Sequence, residues 1–325
     1  MRQFAPQPSS SMSELKNPIL DVAASFWDDD RYRAFRVCYQ SMRQLDDIVD
    51  DLKVAGLADN PDLRSRVKRQ LAEAMQLLQS NVDAPKEVLE LRQTMNELKI
   101  PLEPWRRLVR SMAFDLEHHG FTSFLQFARY ANGAAVAPAS IFIHLIGLSY
   151  ADGVYTPAPI DIFKAARPLA MFSYLTHILR DFRKDVAEGL EYIPAKMRCQ
   201  YAVSADDWQA AGRGEQSNGF VAMIAHYHAL ADRFRRKSVV TANPVYPYLD
   251  EPEKFSLHLI WELYAQIHEA IARADFVLAP ELIHPSTSDL YQRIEKLARV
   301  MQVSDTTLSR GLARIGLNRW RNRAQ

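Results

Sequence analysis

Two short strings hold the residues whose types and spacing suit chemistry. The first is Tyr39-Gln-Ser-Met-Arg43-Gln-Leu-Asp46-Asp47-Ile-Val-Asp50-Asp51, and the second is Tyr174-Leu-Thr-His177-Ile-Leu-Arg180-Asp181-Phe-Arg-Lys184-Asp185. Residues four apart share a helix face, so Asp46 and Asp50 form one acidic stripe and Asp181 and Asp185 another. Arg43 and Tyr39 extend the first stripe toward its N-terminus, and His177 and Tyr174 extend the second. Like charges stacked this way destabilise a helix unless a cation neutralises them. Carboxylate oxygens at this spacing suit a hard ion such as Mg2+ that also holds phosphate. Two facing copies would clamp a diphosphate and stabilise it as a leaving group. Either string alone reads equally well as a solvated helix face with ordinary i,i+4 ion pairs. The repetition, with apolar residues flanking both copies, points to a site.

Stripes of this kind need long helices to carry them. Apolar residues recur at three- and four-residue intervals through 31–54, 62–80, 85–98, 104–117, 122–149, 160–188, 205–236, 254–277 and 286–302. Only 11 glycines occur in 325 residues, and neither strand alternation nor a fixed-period repeat is evident. Breakers such as Asn60-Pro61, Ile100-Pro101 and His284-Pro285 separate the helical stretches. Ser25 competes with Asp28 to Asp30 to cap the first long helix. No Ser/Gly-rich linker divides the chain. The expectation is an all-α fold: a tail over 1–18, one helical domain with a central cavity over 19–302, and a basic C-terminal segment over 303–325.

Composition narrows the function classes. Lys plus Arg total 40 against 39 for Asp plus Glu, a net charge of +1, so no whole-protein field favours nucleic acid. Val303 to Leu317 superficially resembles a helix-turn-helix, with Arg319, Arg321 and Arg323 following, but one basic end on a near-neutral chain reads better as a solvated helix or a patch for anionic lipid. Cys38 and Cys199 lack partner spacing, which suits a reducing compartment. The N-terminal stretch has no export pattern, and the apolar run 134–148 is too short to span a bilayer. The expected location is cytoplasmic, with peripheral contact at the inner face of a membrane left open, as is oligomeric state.

With these residues in view, the stretch 25–195 resembles the squalene/phytoene synthase family through four segments in the family's order. These are Ser25-Phe26, then Tyr39-x-x-x-Arg43-x-x-Asp46-Asp47-x-x-Asp50, then Met112-x-x-Asp115-Leu116 with Tyr130-Ala-Asn-Gly133-Ala-Ala-Val136. The last is Leu179-Arg180-Asp181-x-x-x-Asp185-x-x-x-Gly189-x-x-Tyr192-Ile193-Pro194. The resemblance implies a single-domain isoprenoid synthase fold of the class I terpenoid synthase type. Asp46, Asp50, Asp181 and Asp185 would bind Mg2+ and, with Tyr130, form the catalytic set. Ser25, Arg43, Arg180, Tyr174 and His177 would meet diphosphate, and Phe26, Tyr39 and Val136 the prenyl chain. The implied activity is head-to-head condensation of two farnesyl or geranylgeranyl diphosphates, through a cyclopropylcarbinyl diphosphate, to a C30 or C40 polyene such as squalene, dehydrosqualene or phytoene. NADPH use stays undecided.

The chain departs from the family pattern in the second motif. His177 and Tyr174 stand where the family commonly has Asn and Gln, and imidazole is a poorer partner for Mg2+ than an amide oxygen. Pro138 also interrupts the small-residue string after Gly133. A catalytically inactive relative acting as a scaffold or assembly protein is the alternative. Phe26, Tyr39, Tyr130 and Tyr264 are candidates for stabilising carbocations with their ring faces, although Tyr264 reads better as a plain core aromatic.

Overall fold

The computed structural model describes residues 18–80 and 82–317. The expected tail therefore lies almost wholly outside the described residues, as do Arg319, Arg321 and Arg323. A short α1 (Pro18–Ala24) leads into α2 (Asp29–Val54), α3 (Pro61–Gln79), α4 (Lys86–Glu97) and α5 (Glu103–Asp115). Next come α6 (Phe124–Ala134), α7 (Val136–Ile146), a hairpin of β1 (Leu148–Ala151) and β2 (Val154–Pro157), and α8 (Ile162–Ala187). The second half comprises α9 (Ala195–Gln200), α10 (Ala205–Arg213), α11 (Asn218–Ala242), α12 (Glu251–Arg273), α13 (Pro280–Ile283), α14 (Thr287–Met301) and α15 (Asp305–Arg314).

The elements start and stop where local chemistry says they should. Asp28, not Ser25, caps α2, its carboxylate accepting from the Arg31 amide at 2.9 Å. Asn60 caps α3 ahead of Pro61 at the first helical position. Two of the expected long helices are broken. Pro138 sits in the first turn of α7, where its missing N–H costs nothing; continued helix would drive its ring against the carbonyl of Ala134, and α6 ends there. The stretch 205–236 divides at Gly214, whose φ of 104° closes α10, and at Ser217, which caps α11. The hairpin went unread in the sequence. Its turn is Asp152-Gly153, both at positive φ (52° and 79°), and Leu148 pairs with Pro157 and Ala151 with Val154.

Helix α8 occupies the middle, packed on α11 and α7 and touched by α10 and α12. Its burial runs nearly all round, from Ala165 and Ala166 to Phe182 and Val186, which is how a central helix differs from a surface one. One hydrophobic core extends from Ile19 to Leu317. Residues 303–317 are thus part of the domain: Leu308, Leu312 and Leu317 are buried in the same core, so the expected boundary at 302 is not a structural one. Among the described residues, no helix is long and apolar enough to cross a membrane.

Candidate active site

The acidic stripes of α2 and α8 open into one cavity of about 1050 Å3, at or above the upper end of ordinary small-molecule sites. Asp46, Asp50 and Asp51 from α2 and Asp181, Lys184, Asp185 and Glu188 from α8 line one part of it. Elsewhere the wall is mainly apolar, with large side chains such as Phe142, Ile143 and Ile260 and a group of small residues, Ala134, Ala135, Pro138 and Ala139 near the α6–α7 break and Ala166 and Ala170 on α8. The break at Ala135 places these small residues together, so a ligand can approach the backbone closely.

On α2, ligand atoms of Asp46, Asp47 and Asp50 lie within 4.8 Å of one another. Asp47 was not among the expected metal residues, although its adjacency to Asp46 was the available signal; it is absent from the cavity wall. Arg43 hydrogen-bonds Asp46 and donates to Asp47 at 2.7 Å. On α8, Arg180 holds Asp181 through two parallel bonds of 2.7 and 2.8 Å. The same guanidinium approaches His177 Nδ1 at 3.1 Å. Arginine can only donate, so Nδ1 accepts and Nε2–H is left to donate to Asp181 at 2.9 Å. Burial holds the imidazole below its ordinary pKa, consistent with this neutral form.

The two aspartates of α8 behave oppositely. Burial pushes Asp181 upward, but hydrogen bonds from Arg180 and His177 outweigh it and keep the carboxyl well below the usual range. Burial, then the charge of Asp181 and more weakly that of Asp50 across the cavity, pushes Asp185 up to about 8. The carboxylates of α2 and α8 thus line one cavity and act on one another across it, Asp50 on Asp185. A donor set made wholly of carboxylate oxygens under like-charge repulsion fits a hard dication such as Mg2+.

Of the residues singled out in the sequence, Asp46, Asp50, Asp181, Asp185, Arg43, Tyr39, Tyr130, Tyr174 and His177 all line the cavity. The Tyr130 and Tyr174 hydroxyls are hydrogen-bonded to one another, and burial raises both phenols far above their ordinary values, so both stay neutral. Four others are placed elsewhere. Arg180 lies behind Asp181, off the wall. Ser25 is fully buried and donates to the Val22 carbonyl at 2.7 Å. Phe26 packs edge-on against Phe255 with ring centroids 4.8 Å apart, and Val136 is buried in the core. Conversely, Tyr264, read from the sequence as a plain core residue, lines the cavity.

Sequence reasoning missed further wall residues. Tyr192 was seen only as part of a motif's exit turn, yet its ring stands 6.2 Å from Tyr174 and 6.5 Å from Tyr130. Leu20 and Asp21 from α1 and Arg314 and Ile315 from the end of α15 also line the cavity. No local pattern marks them, because nearly 300 residues separate the two segments.

Comparison with known proteins bears on the fold and the family. A dehydrosqualene synthase solved in complex with ligand superposes with a TM-score of 0.69 at 15% identity, covering 89% of this chain and 93% of that one. A squalene synthase from Alicyclobacillus acidocaldarius gives 0.63 at 16% identity, covering 80% and 90%. At such identities these likenesses establish the fold. Phytoene synthase 2, chloroplastic, of Solanum lycopersicum is 24% identical over 180 residues, 55% of this chain and 54% of that protein. Phytoene synthase 1, chloroplastic, of Zea mays is 23% identical over 181 residues, 55% and 42% respectively. The chain thus spans about half the length of these relatives or less. The family model described as squalene/phytoene synthase matches residues 21–290, a span that includes both acidic stripes and most of the cavity wall, and the chain therefore belongs to the squalene/phytoene synthase family.

Proposed function

We propose that this protein is a Mg2+-dependent prenyltransferase that joins two prenyl diphosphates head to head, by way of a cyclopropylcarbinyl diphosphate, to a C30 or C40 polyene. The observation that carries the proposal is the joining of two aspartate pairs to the largely apolar wall of one cavity of about 1050 Å3. Asp46, Asp50, Asp181 and Asp185 would hold the metal, which when bound supplies charge neutralisation for the departing diphosphate.

The chain's own residues have distinct tasks in this scheme. Arg43, already fixed against Asp46 and Asp47, offers guanidinium donors to diphosphate oxygens at the cavity wall. Arg180, off the wall, orients Asp181 through its paired bonds. The rings of Tyr39, Tyr130 and Tyr264 present π faces to an allylic cation. Tyr130 and Tyr174, being neutral, contribute hydrogen bonds without placing a fixed negative charge that would trap the cation. The apolar side chains of the wall would limit water at the cation, which would otherwise be quenched as an alcohol.

The test is an incubation with Mg2+ and either farnesyl or geranylgeranyl diphosphate, with and without NADPH, and mass spectrometry of the extracted and phosphatase-treated products. A C30 or C40 product that disappears in Asp46→Asn and Asp181→Asn is expected, and it assigns substrate length and reductant together. A folded protein that makes no product under any condition would overturn the proposal in favour of a non-catalytic relative. His177, committed to Arg180 and Asp181 where the family commonly has Asn, would then be the first suspect.

A further inference from the structure

The cavity has a second end, away from the carboxylates, that the reaction itself does not use. Leu20, Asp21 and Val22 of α1 line it together with Arg314 and Ile315, and Asp21 and Arg314 both meet Tyr32. Arg314 lies over the Tyr32 ring at 4.5 Å, and Tyr32 is on α2 fourteen residues before Asp46, about 21 Å along the helix. Tyr32, Arg36, Tyr39, Arg43, Asp46 and Asp50 follow one another at three- and four-residue steps, so both ends of the cavity lie along one face of α2. A prenyl chain with its diphosphate at Asp46 and Asp50 would have room to run its tail along this face toward α1 and the end of α15.

Polar groups back this end. Asp21 accepts from the Tyr32 hydroxyl at 3.0 Å and lies 3.8 Å from Arg36. Arg314 donates to the carbonyls of Ser25 and Trp27 at 2.8 and 2.7 Å and pairs with Asp29. A tail reaching past Leu20 and Ile315 would have to desolvate these charges without replacing their partners, which is costly. The element that supplies Arg314 and Ile315 lies beyond residue 290, where the family match ends. It is firmly seated: Leu308 and Leu312 are in the core, and a Cβ on Gly311 would come within 2.2 Å of the Phe26 ring. Ser25-Phe26, which the sequence resemblance places at the substrate, here forms the bed for α15.

We propose that the end of α15, pinned by Arg314 and placing Ile315 on the same cavity wall as Leu20, sets the longest prenyl chain that the cavity admits; the inference rests on the proposed function. Its test is calorimetric binding of unreactive C10, C15 and C20 prenyl thiodiphosphates with Mg2+ to the full chain, to Ile315→Trp, to Ile315→Ala and to Leu20→Trp. Thermal melts establish that each variant is folded, and Leu20→Trp probes the α1 part of the wall should Ile315→Trp fail to fold. Either tryptophan is expected to weaken the longest chain that the unaltered protein binds by ~10-fold or more, and the next shorter one by less than ~2-fold. Ile315→Ala is expected to strengthen binding of the longer chains selectively. Equal changes at every length, or none, would overturn the inference. Length-selective binding that shifts as expected, without condensation, would overturn the proposed activity and leave this inference standing. Failure of the unaltered protein to bind any of the three would overturn both.

Discussion

Lys53→Met tests how the acidic end of α2 is fixed to the rest of the bundle. Lys53 donates to Asp115 on α5 at 2.9 Å; the carboxylate is 2% exposed, and its second oxygen has no partner. Burial already raises Asp115 above its ordinary pKa despite the lysine. Methionine keeps the aliphatic stem and removes the charge, leaving a buried carboxyl that must either stay ionised alone or take up a proton. Protonation caps the cost. Relative to an unfolded carboxyl at about 3.9, holding the proton at pH 7 costs about 4 kcal/mol, and at pH 5 about 1.5 kcal/mol. The pair as a whole falls in the range of about 3–5 kcal/mol found when one partner of a buried ion pair is removed. The sign follows from linkage: with its folded pKa raised, Asp115 in the variant favours folding below the unfolded pKa and opposes it increasingly as pH rises toward the folded one. Urea unfolding of both proteins at pH 5, 6 and 7 should therefore give a destabilisation that grows with pH, to about 3–4 kcal/mol at pH 7. Lys53→Met/Asp115→Asn should recover much of it. A difference that is flat with pH, or below about 1 kcal/mol at pH 7, would refute the reasoning.

Gly133→Ala would place a Cβ 2.1 Å from Ser111 Oγ and 2.2 Å from the Arg107 carbonyl. The α5–α6 contact must then open at a cost of about 2–3 kcal/mol, measurable by thermal unfolding, and turnover should fall because Tyr130 is carried on the displaced helix. His228 and His268 stack at 3.5 Å, and each Nε2 donates to the other's carbonyl, at 2.9 and 3.2 Å. Burial, then the neighbouring imidazole, lowers His268 to about 4. The folded state thus resists a proton that the unfolded chain accepts near pH 6.5, so this stability is fully present above about 6.5 and is lost as pH falls toward 4, by about 2 kcal/mol after allowance for solvent screening. Chemical unfolding across that window checks it, and His268→Gln should flatten the slope. His177→Asn removes the imidazole held between Arg180 and Asp181 and supplies an amide oxygen instead, so the Mg2+ concentration giving half-maximal activity should drop several-fold; unchanged metal dependence would count against the reading.

The parts of the site that were legible in the sequence are those set by positions close together in the chain. The four-residue spacing of Asp46 and Asp50, and of Asp181 and Asp185, fixes a common helix face before any tertiary contact forms, and each pair does reach the cavity. The all-helical character was legible for the same reason. What escaped notice depends on distant packing. Phe26 and Val136 carry no sign of whether they face a ligand or another helix. The neighbour that covers Phe26 is Gly311, 285 positions away. Tyr264 reads as a core residue because an aromatic within a helix usually is one; it is indeed almost wholly buried, yet a buried residue can still face an internal cavity. The hairpin, by contrast, had a local signal in Asp152-Gly153, lost among helical periodicities because its strands are only four residues each.

Both acidic stripes come near the C-terminal ends of their helices, Asp50 and Asp51 in the last turns of α2 and Asp185 in the last turn of α8. The helix dipole ends there, equivalent to about half a negative charge per helix, although several of the last carbonyls accept from the following turn, Leu52 from Leu57 and Asp185 from Leu190 among them. Two helix ends thus add their negative potential to that of the side chains, with Lys184 as a nearby lysine on the wall. Each divalent ion taken up relieves side-chain and backbone repulsion together, so uptake of the ion and resistance to unfolding become a single thermodynamic quantity. The melting temperature of this protein should rise with free Mg2+ even when no prenyl diphosphate is present, making the carboxylate end a sensor of its own loading.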